Sequence, residues 1–155
     1  VWTPTNVFDR PASWATSYNG FMHGLPADFL AVVQPAVLTC RTNSLFEVES
    51  LDGTAFAINQ LYSLKADKFF LLSRPEIFGN WDSESYKDGT QLEYYNGLTA
   101  TERIKRDAAG TARHAWLRSP YPSYASLARI VISDGTLSSS GAYIGYGVAP
   151  ACIIA

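Results

Sequence analysis

Charge, cysteine and methionine are all scarce in this chain of 155 residues. Charged side chains make up 17% of it, too few for a disordered segment, which needs charge and lacks aromatics. Here aromatics reach 14%, so apolar burial is available to drive folding. The net charge of −2 leaves no basic excess, which excludes a binder that holds nucleic acid through its phosphate backbone. No window approaches eighteen consecutive apolar residues, so no membrane-spanning helix is expected. No internal period supports a rod or a repeat array. The length fits one domain, residues 1–155, able to bury a core of its own.

The opening Val1-Trp2-Thr3-Pro4 has neither a basic region nor an apolar run of the kind that marks a secretory leader. It also lacks an initiator methionine, and the chain is expected to be the C-terminal part of a longer one. Two cysteines, Cys40 and Cys152, are too few for a disulfide framework. Two buried thiols or a single bridge pinning the last strand are both compatible with their apolar contexts. Cys40, Cys152, His23 and His114 show none of the close pair spacings of zinc sites, so no metal and no cofactor is expected.

What is present reads as short helices first and strands later. Phe21, Met22 and Leu25, then Phe29, Leu30, Val32 and Val33, form two apolar helical stripes, with Pro26 suited to a first turn. Strands are expected at residues 37–42, 46–48 and 67–73, with a turn at Asp52-Gly53. Ser73-Arg-Pro-Glu76 and Thr99-Ala-Thr-Glu102 both carry the signature of a capping box. The first predicts a short helix with Ile77 and Phe78. The second predicts a helix through residues 103–106 that Gly110 stops. Strands follow at residues 112–118 and 127–132, then an Asp134-Gly135 turn, a long Ser/Gly loop and a final strand in residues 147–154. The fold class is α+β, short helices packed on a twisted antiparallel sheet.

Motifs for catalysis are missing: there is no G-x-S-x-G elbow, no phosphate-cradling glycine loop and no H-E-x-x-H. Ser119, His114 and Asp107 supply the residue types of a serine triad, but no spacing ties them together. Asp82, Glu84 and Asp88 read as solvated acids rather than a glycosidase pair. Arg103, Lys105, Arg106 and Arg113 read as a solvated helix face, because Glu102 and Asp107 stand among them. No enzyme activity and no catalytic residue are expected.

Four ordered landmarks carry a resemblance. Phe70-Leu-Leu-Ser73 with Pro75-Glu-Ile-Phe-Gly79, the helix signal Thr101-Glu-Arg-Ile-Lys105 to Gly110, Ala115-Trp-Leu-Arg-Ser-Pro120, and Val131-Ile-Ser-Asp-Gly-Thr-Leu137 with Gly147-Val-Ala-Pro-Ala151 follow one another in sequence. Together they resemble a domain family of phage and bacterial surface proteins whose pattern is W-W-L-R-S-P, D-G and G-V-R-P-A. Ala115 departs from it at the first Trp, and Ala149 replaces its Arg. That family is similar to C-type-lectin-like domains, close to the variable proteins of diversity-generating retroelements. The resemblance implies a C-type-lectin-like fold, a core Trp116 and a structural ion pair for Arg118. The calcium-binding triplets of sugar-binding lectins do not occur. The nearby cysteine pair of the related formylglycine-generating oxidases is also missing.

Residues 117–155 contain no Lys, Glu, Gln, Met or Trp, whereas residues 1–116 contain these five types 18 times. Under equal composition such a gap has a chance of roughly one in seven hundred. The retroelements that the resemblance brings in mutate adenines within A-A-pyrimidine codons, and pyrimidine-ending codons encode none of those five. The alternative is a strand-rich segment that disfavours Lys, Glu and Gln. The same stretch concentrates Tyr and Ser, which give rigid contact area and adaptable hydrogen bonds in paratopes. The candidate ligand-binding face is therefore Tyr121, Ser123, Tyr124, Ser126, Ser133, Ser138, Ser139, Ser140, Tyr143, Ile144 and Tyr146. The expected function is a receptor-binding or adhesion module on a phage tail or head fibre, or on a bacterial surface. A host cell-surface protein or glycan, other virion proteins and further copies of the chain are its expected partners. A structural virion or surface domain used only for assembly is the alternative.

Overall fold

Both capping boxes read from the sequence form, and the first of them organises the core. The computed structural model describes residues 25–41, 62–79, 88–121, 124 and 126–155. The stripe at Phe21 and Met22, the strand at 46–48, the Asp52-Gly53 turn, Asp82, Glu84 and Ser123 lie outside the described residues, as does the side chain of Cys40.

Pro26 caps helix α1 (Ala27–Val32), and Leu30 N closes its first turn on Pro26 O at 3.0 Å. The helix ends one residue short of its apolar stripe, because Val33 takes extended dihedrals and starts β1 (Val33–Gln34). Strand β2 (Ala36–Arg41) pairs antiparallel with β3 (Tyr62–Asp67) over its whole length. The strand expected across 67–73 is interrupted. β3 stops at Asp67, the chain bends at Lys68 and Phe69, and only Phe70–Leu71 form β4. Phe69, Phe70 and Leu71 are all buried around this bend.

Helix α2 (Arg74–Phe78) follows with Ser73 as its cap. The Ser73 hydroxyl accepts from Glu76 N at 3.3 Å, and Glu76 Oε2 accepts from Ser73 N at 2.8 Å. All five helical residues are buried. Gly89 presses on this box: a Cβ there would stand 2.7 Å from both Ser73 Oγ and Glu76 Cγ, so only glycine fits. A 3-10 turn at Glu93–Tyr95 packs on α2.

The second capping box starts α3 (Ala100–Arg103), which is shorter than expected. Ile104 turns extended, and Lys105–Arg106 form β5, paired with β6 (Ala112–Arg113). Lys105 Nζ donates to Tyr95 Oη at 2.8 Å and Arg103 lies over the Phe78 ring, contacts that pull the basic residues off a common helix face. Gly110 (φ 80°) thus serves a hairpin turn rather than a helix end.

The largest sheet has the order β7-β8-β9, from β7 (Ala115–Pro120), β8 (Leu127–Val131) and β9 (Leu137–Gly141). The β8–β9 turn is the expected Asp134-Gly135. Asp134 Oδ1 accepts from Thr136 N, Gly135 takes φ 85°, and a Cβ there would collide with Ala100 O. Ser138, Ser139 and Ser140, expected in a loop, are strand residues in register with Ile130, Arg129 and Ala128. The C-terminal segment then stitches three pieces together. Gly147 bridges Ala115 in parallel, β10 (Pro150–Ala151) pairs with β4, and β11 (Ile153–Ile154) pairs with β1.

Among the described residues, two apolar clusters fill the interior. Ile77, Phe78, Tyr95, Leu117 and Val131 form one; Ala36, Leu38 and Phe70 form the other, and Leu72 packs on both. Trp116, expected in the core, is only half-buried, because β7 alternates and Trp116 points away from Leu117. Arg118 is the ion-pair partner expected of it. Its guanidinium meets the Glu76 carboxylate with both terminal nitrogens, and it also donates to Leu71 O at 2.8 Å and Asp88 O at 2.6 Å. Cys152 carries a free, half-buried thiol, so the bridge alternative is not realised. Among the described residues no helix is long and apolar enough to cross a membrane.

Replacing Arg118 strands the buried Glu76 carboxylate. Arg118→Ala is expected to lower the free energy of unfolding by about 3–5 kcal/mol, measured by urea titration. Arg118→Lys, which lacks the planar fork, recovers only part of the loss.

Candidate binding surface

The base of the surface is the buried polar network that ends β7. Ser119 Oγ donates to Asp88 Oδ2 at 2.6 Å and accepts from Arg74 N at 2.8 Å. With Arg118 on Glu76 and Asp88 O, this ties α2, the segment around Asp88 and β7 into one block just before Tyr121. Asp88 is fully buried, against its expected place among solvated acids. Burial pushes its carboxyl above the usual carboxylate range and Glu76 adds to the rise, while the Ser119 hydrogen bond and the Arg118 charge oppose it.

On this block the candidate residues fall into two clusters and a loop. Residues paired across an antiparallel ladder share a face, so Ser139 lies with Arg129 while Ser138 and Ser140 lie with Ile130 and Ala128 on the other. In the first cluster Arg129 lies 4.4 Å over the Tyr121 ring and donates to Ser139 Oγ at 3.0 Å, and Tyr121 meets Tyr124 edge-on at 5.6 Å. Tyr124 is 59% exposed. In the second, Ser140 Oγ and Tyr146 Oη are 3.4 Å apart, and the Tyr146 ring sits between His114 at 4.9 Å and Trp116 at 5.3 Å. Between them the loop after β9 carries Tyr143, 88% exposed, with its ring across Gly141, and the half-buried Ile144. Ser126 is exposed before β8, and its carbonyl accepts from Ala142 N at 2.8 Å. Ser138 and Ser140 therefore do not share a face with Ser139.

Below the second cluster opens a cleft of about 590 Å³, lined by Tyr146, His114, Ser133, Arg113, Asp107 and the glycines 145 and 147. Asp107 holds its own turn, accepting from Ala109 N and Thr111 N with Oδ1 and from Arg113 Nε with Oδ2. Those bonds, Arg113 first, lower its pKa below the usual range. His114 Nδ1 accepts from Ser133 N at 2.9 Å. Ser119, His114 and Asp107 are thus each engaged with other partners and form no triad. Among the described residues, no three His, Cys, Asp or Glu side chains converge on a point that could hold a metal ion. Sequence reasoning did not single out Arg129, and it weighed His114, Arg113 and Asp107 only for other roles. A Gly-Tyr-Gly triplet at 145–147 was the available signal for the cleft. Ala149, where the resembled pattern has Arg, lines a separate void of about 140 Å³ beside Lys105, with no acid in its wall.

Residues 17–155 match the model of a family described as a domain of unknown function, DUF6273. The chain belongs to the DUF6273 family. Neither the curated proteins nor the solved structures compared with the chain give a match. The DUF6273 region takes in the whole described structure, so the polar block, both clusters and the cleft are parts of this domain.

Asp88 offers a test of the block. The folded state holds its proton more tightly than the unfolded chain does. Its contribution is therefore complete in acid and declines as pH climbs from the unfolded value through the folded one. Asp107, with a lowered pKa, acts in the opposite sense and loses its contribution as pH falls. The stability of Asp88→Asn relative to the parent should accordingly rise between about pH 4 and pH 7, followed by urea titration at each pH. A flat or falling difference would contradict the burial of this carboxylate.

Proposed function

We propose that this DUF6273 chain is a receptor-binding module, built on a C-type-lectin-like plan, that presents its Tyr- and Ser-rich C-terminal region to a host surface. The observation that carries the reading is the exposure of Tyr143 and Tyr124, 88% and 59%, in a domain whose frame is fixed by buried ion pairing. Large aromatic rings held out in water are unfavourable for folding and useful for contact. A rigid frame lowers the ordering entropy that a contact loop loses on binding. The carrier is a phage tail or head fibre or a bacterial surface protein, and the receptor is a surface protein or glycan. The C-terminal composition supports diversification by adenine-directed mutagenesis.

A second reading, a domain that serves assembly only, draws on another surface. Val32, Ile153 and Ile154 are exposed where β11 pairs with β1.

Tyr124→Ser with Tyr143→Ser should reduce attachment of the carrying particle or cell to its host by at least about tenfold. Thermal stability should stay unchanged, since neither ring is buried. Unchanged attachment, with loss of assembly on charging Ile153 and Ile154, would favour the second reading. Diversification has its own check in the neighbouring genome. A reverse transcriptase gene should accompany a near-copy of the region encoding residues 117–155, differing at adenines alone.

A further inference from the structure

The cleft beside Tyr146 has a wall chemistry that narrows the ligand class. Its volume of about 590 Å³ is suited to a small molecule or one or two sugar rings. One wall is an aromatic ring held in place: Tyr146 is fixed between His114 and Trp116, so little freedom is lost when a ligand stacks on it. The polar groups beside it are planar and paired. Arg113 gives its Nε to Asp107, so the two charges offset each other, and its terminal amines are further donors. His114 accepts at Nδ1 from Ser133, so the ring proton lies on Nε2 as a donor. Glycines at 145 and 147 keep the mouth clear: a Cβ at 145 would meet nothing within 4 Å, whereas one at 147 would crowd His114 O at 3.2 Å.

An anion would find its one guanidinium already neutralised, and a wholly apolar ligand would leave the imidazole and guanidinium donors unpaired. A ring with one C–H face and a rim of hydroxyls satisfies both walls. We propose that this cleft is a subsite for a neutral saccharide, stacked on Tyr146 and hydrogen-bonded by Arg113 and His114. The assignment rests on the receptor-binding reading and specifies its ligand class. It uses no metal, since all the contacts come from the chain.

The test is an array of neutral hexose and N-acetylhexosamine oligosaccharides, with sialylated ones alongside, probed with the full chain in the presence and absence of EDTA. At least one neutral saccharide should bind, and chelation should change nothing. Tyr146→Ala, which removes the platform, should weaken binding by at least about tenfold, and Tyr146→Phe should recover most of that loss. Gly145→Leu fills the mouth from a position with open space, so it should block binding while leaving the melting temperature in place. Binding that survives both Tyr146→Ala and Gly145→Leu, or that is confined to sialylated ligands, overturns the proposal. If no saccharide binds yet attachment still depends on Tyr124 and Tyr143, the saccharide assignment falls and the receptor-binding reading stands. If attachment ignores all of these positions, both fall.

Discussion

A single guanidinium holds the two halves of this domain in register. Arg118 leaves the end of β7, and its terminal nitrogens meet the Glu76 carboxylate, Leu71 O and Asp88 O in a site from which water is almost excluded. Glu76 is at the same time the reciprocal partner of Ser73 in the capping box. One carboxylate thus caps the start of a helix and neutralises a cation from the far half of the chain. Such a buried pair need not add net stability over apolar packing. It does define a single acceptable alignment of α2 against β7, since a slip would leave charges unpaired.

That alignment explains why the surface above it can be rich in small and aromatic residues. The Tyr- and Ser-bearing segments leave the sheet at Pro120, return at Leu127, leave again at Gly141 and are caught at Gly147. Each excursion is anchored at both ends by backbone pairing, so its side chains need not supply the fold. The serines of β9 show the same division. Ser139 faces Arg129 and Ser138 faces Ile130, and the ladder that aligns them uses main-chain groups alone.

The parts legible in the sequence were those in which one residue type at a fixed spacing has one local use. The Ser73–Glu76 and Thr99–Glu102 boxes, the Asp134-Gly135 turn and the strand character of residues 127–131 belong there, and so does the pairing role of Arg118 that the resemblance implied. What was not legible depended on contacts far apart in the chain. Asp88 stands in a polar run and reads as solvated, yet Ser119 and the Arg118 charge, some thirty positions on, draw it inside. Residues 103–106 carry a helical signal, but the helix ends at Arg103, and Tyr95 and the β6 partner of Lys105 hold Lys105 and Arg106 as a strand. The division of the β9 serines between two faces was not legible for a simpler reason. Three consecutive serines cannot share a side once they enter a strand, and only the ladder revealed that they do.

The seam formed by residues 147–154 has a consequence for how the domain acquires its structure. Its partners are Val33 and Gln34 on one side and Phe70 and Leu71 on another, so its pairings close loops of roughly eighty to a hundred and twenty residues. Loop closure on that scale follows the local hairpins and helices, which place the β8–β9 turn and both capping boxes early in folding and the seam late. Until it docks, β1 and β4 present unpaired edges to other chains. The interval before closure is therefore the period in which this domain is open to strand exchange between copies, and the same seam that completes the native fold is the element best placed to be swapped.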